Sequence, residues 1–138
     1  MARRITQHDY ERLLQLRTGL RRFLHWSGEQ AERAGMTPAQ HQLLLAIQGQ
    51  HGATPPTIGD LAEVLLLRHH STVGLIDRAE ALGLVERVKD ASDRRVVRVT
   101  LTKVGRDRLA ALSAAHLEEI RRIAHSFGSF ASIDDPAP

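Results

Sequence analysis

The 138 residues are enough for one domain with a hydrophobic core and helical extensions. Aromatic residues make up only 4% of the chain, which favours a mostly helical protein over a β-sandwich. The formal net charge of +3 is compatible with nucleic-acid binding, and the lack of cysteine excludes disulfides, thiolate metal sites and a cysteine nucleophile.

The N-terminal segment predicts one long helix. From about residue 8 to residue 34, apolar residues recur every three or four positions, and Gly35 stands where a helix C-cap is expected. No secretory signal precedes this segment and no stretch reaches the ~20 apolar residues of a membrane span, so a cytoplasmic protein is expected. The apolar face of so long a helix needs a partner, either in this chain or in a second copy.

Capping signals mark the next two helices. Thr37 is followed directly by a proline and three residues later by Gln40, which is the pattern of a capping box at a helix start. We expect this helix to end near Gly52. Thr57, with Asp60 three residues later, starts a short helix.

A further helix, from about residue 69 to residue 82, completes a helix-turn-helix. The connection through residues 66–68 is short, and two short helices joined by such a turn form this motif. Gly83 is expected to terminate the second helix. Its inward-facing side chains are expected to be Val73, Ile76, Ala79 and Leu82.

The periodicity then changes from helical to alternating. Residues 84–89 and 95–101 are rich in valine and charged side chains, and residues 90–94 between them have turn chemistry. This pattern predicts a β-hairpin with a charged tip, called the wing below. Thr102 can cap a last long helix to about residue 127, and residues 128–138 are expected to form a flexible tail.

Several short motifs, in this order, resemble the MarR family of transcriptional regulators. The similarity runs from about residue 35 to residue 111. Three of the motifs are Leu61-Ala62-Glu63, Ser71-Thr72-Val73 and Gly83-Leu84-Val85-Glu86-Arg87. The family's wing signature is an Asp, one residue and an Arg, followed by Leu-Thr and a Gly, and it is met by Asp93, Arg95, Leu101, Thr102 and Gly105.

The resemblance implies a mainly α winged helix-turn-helix protein with a two-stranded β wing. Residues 1–34 and 102–127 would be dimerisation helices, and residues 35–101 the DNA-binding domain. A homodimer would bind double-stranded DNA at a pseudo-palindromic operator, more often as a repressor, and a small aromatic or anionic effector would release it. Neither a cofactor nor catalysis is expected, because no nucleophile, base and orienting group converge.

The expected DNA contacts lie on the second helix of the motif and on the wing. Polar side chains on a helix can read base edges in the major groove, and basic ones neutralise phosphates. An arginine at a hairpin tip can enter the minor groove, and by resemblance this is Arg95, oriented by an ion pair with Asp93. The candidate DNA-binding residues are Arg68, His70, Ser71, Thr72, Gly74, Arg78, Asp93, Arg94 and Arg95.

Other interpretations remain open at this stage. Phe23, His25 and Trp26 could line an effector pocket, although aromatic residues on a helix are more often packed in a core. Adjacent histidines on a helix diverge by roughly 100°, so His69 and His70 are not expected to bind one metal ion. The remote candidates for a metal-responsive regulator are His25, His116 and His125. A winged-helix adaptor that binds protein and a sequence-tolerant architectural DNA binder are further alternatives.

Overall fold

The computed structural model describes residues 2–50 and 52–128, and within them the chain forms five helices and one two-stranded antiparallel sheet. The elements in chain order are α1 (Gln7–Arg33), α2 (Pro38–Gly49), α3 (Ile58–Leu65), α4 (His69–Ala81), β1 (Val85–Lys89), β2 (Val97–Leu101) and α5 (Lys103–Gly128). This architecture is the predicted mainly α winged helix-turn-helix. The flexible tail was predicted for residues 128–138, and its part beyond Gly128 lies outside the described residues.

Capping boxes start the first three helices. In each box the threonine hydroxyl accepts a hydrogen bond from the backbone N–H three residues on, and that residue's side chain accepts one from the threonine N–H. The pairs are Thr6 and Asp9, Thr37 and Gln40, and Thr57 and Asp60. The sequence prediction missed the first box, and it placed the end of α2 near Gly52, whereas the backbone is already extended at Gln50.

The core lies where α2, α3 and α4 pack against one another and against the sheet. Its largest fully buried hydrophobic side chains are Leu43, Leu44, Leu61, Ile76, Leu84, Val85 and Val99. α5 contributes Leu109 and Leu112 to the same cluster, whereas α1 contributes only Ala31. Much of the apolar face of α1 is therefore uncovered in a single chain.

The buried face of α4 differs from the prediction. Ile76 and Ala79 are buried as expected, but Val73 is only half-buried and Leu82 is 51% exposed. Residues at spacings of three, four and seven form one helical stripe, and the stripe that meets the core is Thr72, Leu75, Ile76 and Ala79. Leu82 lies outside it because it is already the C-cap, before the left-handed Gly83 (φ 72°).

The wing joins α5 through a tight junction. Thr102 donates its backbone N–H to the Leu84 carbonyl at 3.1 Å and its hydroxyl to the Gly83 carbonyl at 2.6 Å. The same hydroxyl accepts the Gly105 N–H at 3.1 Å and so caps α5. Gly105 packs against the backbone of Leu84, the residue before β1. A Cβ built on Gly105 would be 2.0 Å from the Leu84 carbonyl oxygen. We call this contact of residues 102–105 with residues 83–84 the α5 junction.

Candidate DNA-binding surface

The N-terminal turn of α4 is polar, basic and exposed. Its exposed residues are Arg68, His69, His70 and Ser71. Within the described part of the chain, α4 differs from α1, α2 and α3 in having no side-chain cap, since the N-cap residue Arg68 makes no such hydrogen bond. Backbone N–H groups at a helix start carry a partial positive charge and suit phosphate oxygens.

Thr72 is a correction to the predicted surface. Its side chain is fully buried, and its hydroxyl and its backbone N–H both donate to the Arg68 carbonyl at 3.0 Å. Because Thr72 belongs to the buried stripe of α4, its side chain cannot contact DNA. Its hydroxyl instead stabilises the start of the helix.

Gly74 and Arg78 lie together further along α4. A Cβ built on Gly74 would be 3.3 Å from Nη1 of Arg78, so the guanidinium group lies beside the glycine backbone. Both residues are among the DNA-binding candidates that the sequence predicts. In the described structure the Arg78 side chain occupies part of the space beside Gly74.

The two carboxylates in the C-terminal half of α4 are paired with Arg87 of β1. Arg87 Nη2 lies 2.5 Å from Asp77 Oδ1, and Nη1 lies 2.8 Å from Glu80 Oε1. These ion pairs balance the negative charge of both carboxylates. The sequence prediction did not assign a role to Arg87, because the contact depends on the tight turn that folds β1 back onto α4.

The wing tip carries the predicted arginine–aspartate pair. Arg95 Nε lies 3.1 Å from Asp93 Oδ1 and Nη2 lies 3.2 Å from Oδ2, and the Arg95 backbone N–H donates to the same carboxylate. These bonds lower the pKa of Asp93, first through the Arg95 side chain and then through its N–H. The Arg95 side chain remains 91% exposed, and the neighbouring Arg94 is exposed as well.

Two residues that the prediction missed support the wing tip. Asp90 accepts the backbone N–H groups of Ser92 and Asp93 at 3.0 and 2.9 Å, as an aspartate at the start of a turn commonly does. Arg98 donates Nε to Asp90 at 2.7 Å and Nη1 to the Pro55 carbonyl at 2.7 Å. The Arg98 bond, followed by the two N–H bonds, lowers the pKa of Asp90.

A groove of about 750 Å³ lies between α1 and α5. Phe23 and Trp26 line it, together with Arg22 and Arg122. His25 does not line this groove, because its side chain is 79% exposed and pairs with Glu29 at 2.8 Å.

The histidine side chains that the structure describes belong to no cluster arranged for metal binding. No group of three or more potential metal-ligating side chains occurs in residues 2–50 and 52–128. His116 donates its Nδ1–H to the Leu112 carbonyl at 2.7 Å, and its Nε2 forms a hydrogen bond with the Ser27 hydroxyl at 2.6 Å. Its ring packs against those of Trp26 and His41, each at 4.8 Å. The side chain of His125 lies outside the described part.

Among the described residues, no helix is long and apolar enough to cross a bilayer.

Comparisons with known proteins show which family the chain resembles. The model of the MarR family matches residues 34–96. The transcriptional activatory protein BadR of Rhodopseudomonas palustris is 40% identical over 60% of this chain, and the match spans about half of the relative (48%).

Solved structures share the fold over most of the chain. AbsC, a MarR family transcriptional regulator from Streptomyces coelicolor, superposes with a TM-score of 0.74 at 22% sequence identity. The superposition covers 99% of this chain and 86% of the AbsC chain. A mutant of MarR from E. coli complexed with operator DNA has a TM-score of 0.61 at 25% identity and covers 70% of this chain and 67% of its own. These proteins are transcription regulators, which agrees with the expectation that no catalysis occurs. The family-model match over residues 34–96, the shared fold and the wing signature together agree with a resemblance to the MarR family of transcription regulators.

Proposed function

We propose that the protein regulates transcription by binding a pseudo-palindromic DNA operator as a homodimer. The observation that carries the proposal is the wing tip, where Asp93 holds an almost fully exposed Arg95 beyond the helix-turn-helix. A solvated turn needs no such oriented guanidinium. The operator-bound E. coli relative supports DNA as the partner.

In this proposal α4 enters the major groove. Arg68, His70, Ser71 and Arg78 are exposed there, and the uncapped N-terminal amides would bind a phosphate. Thr72 is excluded from the contact set because its side chain is buried. The remaining side chains would supply base contacts and phosphate neutralisation together.

The wing would lie over the adjacent minor groove. A narrow minor groove has an enhanced negative potential that attracts an inserted arginine. Arg95 would enter the groove while Asp93 fixes the orientation of its guanidinium group, and Arg94 would contact the phosphates beside it.

The uncovered apolar faces of α1 and α5 support the homodimer. Exposed large side chains on α1 include Leu13, Leu14, Leu20 and Leu24, and those on α5 include Leu117 and Ile120. A second copy would bury these faces in a two-fold interface. Residues 1–34 and 102–127 are thus proposed as dimerisation helices, presenting two α4 helices to major grooves ~34–36 Å apart.

Regulation by a small effector is part of the proposal. The groove between α1 and α5 combines the rings of Phe23 and Trp26 with the guanidinium groups of Arg22 and Arg122, which suits an aromatic or anionic molecule. Binding there would change the population of dimers with the operator spacing. Repression follows where the operator overlaps a promoter. A cytoplasmic location is proposed with this role.

Selection of bound duplexes from a random-sequence DNA pool tests the proposal. The wild type should recover an inverted repeat, and Arg95→Ala should bind it at least ~10-fold more weakly, as expected for loss of one arginine contact. Arg4→Ala, which removes an exposed arginine before α1, is the matched control and should bind like the wild type.

Salt dependence separates DNA binding from the adaptor alternative. Affinity carried by several phosphate contacts should fall by orders of magnitude between ~50 and ~200 mM salt. Failure to enrich any duplex at the lower salt concentration would refute DNA binding. Enrichment without a preferred sequence would indicate an architectural DNA binder instead.

A further inference from the structure

A continuous chain of hydrogen bonds connects the wing tip to the loop before α3. It begins at the Pro55 carbonyl, which accepts Arg98 Nη1, and continues through Arg98 Nε to the Asp90 carboxylate. Asp90 in turn accepts the backbone N–H of Asp93, whose carboxylate binds the Arg95 guanidinium. The four bonds measure 2.7, 2.7, 2.9 and 3.1 Å in this order.

The inner pair of this chain is much less exposed than the outer pair. The side chains of Arg98 and Asp90 are 22% and 16% exposed, whereas those of Arg95 and Asp93 are 91% and 40% exposed. Solvent screens the inner pair less, so its geometry is better maintained than that of a surface ion pair. Arg98 is held between the Asp90 carboxylate and the Pro55 carbonyl, so Arg95 rather than Arg98 is the member of the chain that is exposed enough to reach DNA.

The backbone around Arg98 is attached to the same loop. Arg98 forms an isolated antiparallel bridge with Thr57, and the Val99 N–H donates to the Pro56 carbonyl at 3.0 Å. Thr57 is the N-cap of α3, so β2 is fixed to the start of the helix-turn-helix. A hairpin of two five-residue strands is only marginally stable alone, and such an attachment restricts its swing.

We propose that Arg98 and Asp90 are positioning residues for DNA binding, because together they hold the wing arginine Arg95 at a set place relative to the helix-turn-helix. Without Arg98, the Asp90 carboxylate loses its link to Pro55. Without the Asp90 carboxylate, the N–H groups of Ser92 and Asp93 lose their acceptor and the turn that presents Arg95 relaxes. This inference rests on the proposed function, in which the wing binds DNA.

A double-mutant cycle on the selected duplex tests the inference. Arg95→Ala should weaken binding about 10-fold, and Arg98→Ala should weaken it about 3- to 10-fold without touching DNA. The double variant should bind no more weakly than Arg95→Ala alone, because a misplaced arginine and an absent one lose the same contact. Asp90→Asn, which keeps an amide-accepting oxygen but removes the charge that binds Arg98, is the second variant if Arg98→Ala does not fold.

Arg106→Ala is the matched control. Arg106 also donates one guanidinium N–H to a backbone carbonyl, that of Leu101 at 2.9 Å, but at the opposite end of β2 from the wing tip. Its removal should leave affinity unchanged. In two-dimensional NMR spectra of the free protein, Arg98→Ala should shift the amide resonances of Ser92 and Asp93 and leave those of α4 in place.

The outcomes separate the inference from the proposed function. If Arg95→Ala weakens binding but its effect and that of Arg98→Ala multiply, or if Arg98→Ala has no effect, the positioning role is overturned while DNA binding by the wing stands. If Arg95→Ala itself binds like the wild type, the wing contact in the proposed function fails and the inference fails with it.

Discussion

Replacement of Gly105 by alanine tests the α5 junction most directly. The new methyl group would be 2.0 Å from the Leu84 carbonyl oxygen and 3.0 Å from the Leu84 carbonyl carbon. Real Cβ atoms essentially never approach another heavy atom within 3.0 Å, so α5 must move away from Leu84 by about 1 Å. The atoms that the new methyl group would meet belong to the Leu84 backbone, so no flexible side chain can move aside to relieve the clash.

The expected loss of stability is about 3 kcal/mol. Overpacking of this kind costs about 1–3 kcal/mol. A shift of α5 also weakens the two hydrogen bonds of Thr102 to Gly83 and Leu84, at about 1 kcal/mol each. Alanine returns about 1 kcal/mol through its better helix propensity.

Urea denaturation followed by circular dichroism measures this change. Wild type and variant must be compared at one protein concentration, because unfolding of the proposed dimer would depend on concentration. Thermal unfolding should show a midpoint lower by about 10 °C in a chain of this length.

Gly59→Ala is the matched control, since Gly59 lies in the first turn of α3 and its added Cβ would meet only Thr57 Oγ1, at 3.8 Å. That variant should be as stable as the wild type or up to about 1 kcal/mol more stable. A Gly105→Ala protein with wild-type stability would refute the tight contact at Leu84.

Three further predictions follow from buried or strained residues. Burial, followed by the charge of His116, lowers the pKa of His41 below 6.5, so the unfolded chain binds more protons at mildly acidic pH. The contribution of His41 to stability should therefore be full above pH 6.5 and decrease as the pH falls towards the lowered pKa. Urea titrations at several pH values should show that the free energy of unfolding depends less on pH in His41→Gln than in the wild type. Thr72→Val should leave the affinity for the operator unchanged and alter stability by less than about 1 kcal/mol, whereas a large loss of affinity in a binding assay would contradict burial of the hydroxyl. Leu66 has a left-handed backbone (φ 56°, ψ 40°) and a side chain that is 91% exposed, so Leu66→Gly should stabilise the fold by roughly 1 kcal/mol in the same denaturation assay.

Most of the helices and strands could be predicted because short sequence motifs next to their ends determine where they begin and end. The boxes of Thr37 and Thr57, and Gly83 after α4, each act through atoms within a few residues of themselves. The buried stripe of α4 was misassigned because its hydrophobic pattern is weak. Thr72 is a polar residue that satisfies its hydroxyl internally, which no hydropathy pattern reports.

The wing signature predicted the pair of Asp93 and Arg95. The two residues are only two positions apart on the hairpin tip, and this separation is enough to bring their side chains together. The support beneath it was not predictable in the same way. Arg98 reaches Pro55, 43 positions earlier, and only the folded arrangement of β2 against the loop before α3 brings them together. The groove between α1 and α5 was not predictable for the same reason, because Trp26 and Arg122 line one groove only once the two helices pack together.

The hydrogen bond between Ser27 and His116 has a consequence for the order of folding. It joins residues 89 positions apart, and the helix-turn-helix and the wing lie between them. Closing a flexible loop costs conformational entropy that increases with its length, whereas a folded connector has already lost that entropy. The helix-turn-helix and wing are therefore expected to fold before α1 meets α5, and refolding kinetics should show Trp26 fluorescence changing after the first part of the helical signal has formed. The pairing of the two long helices, and any interface that a second copy builds on them, would then depend on prior folding of the helix-turn-helix and the wing.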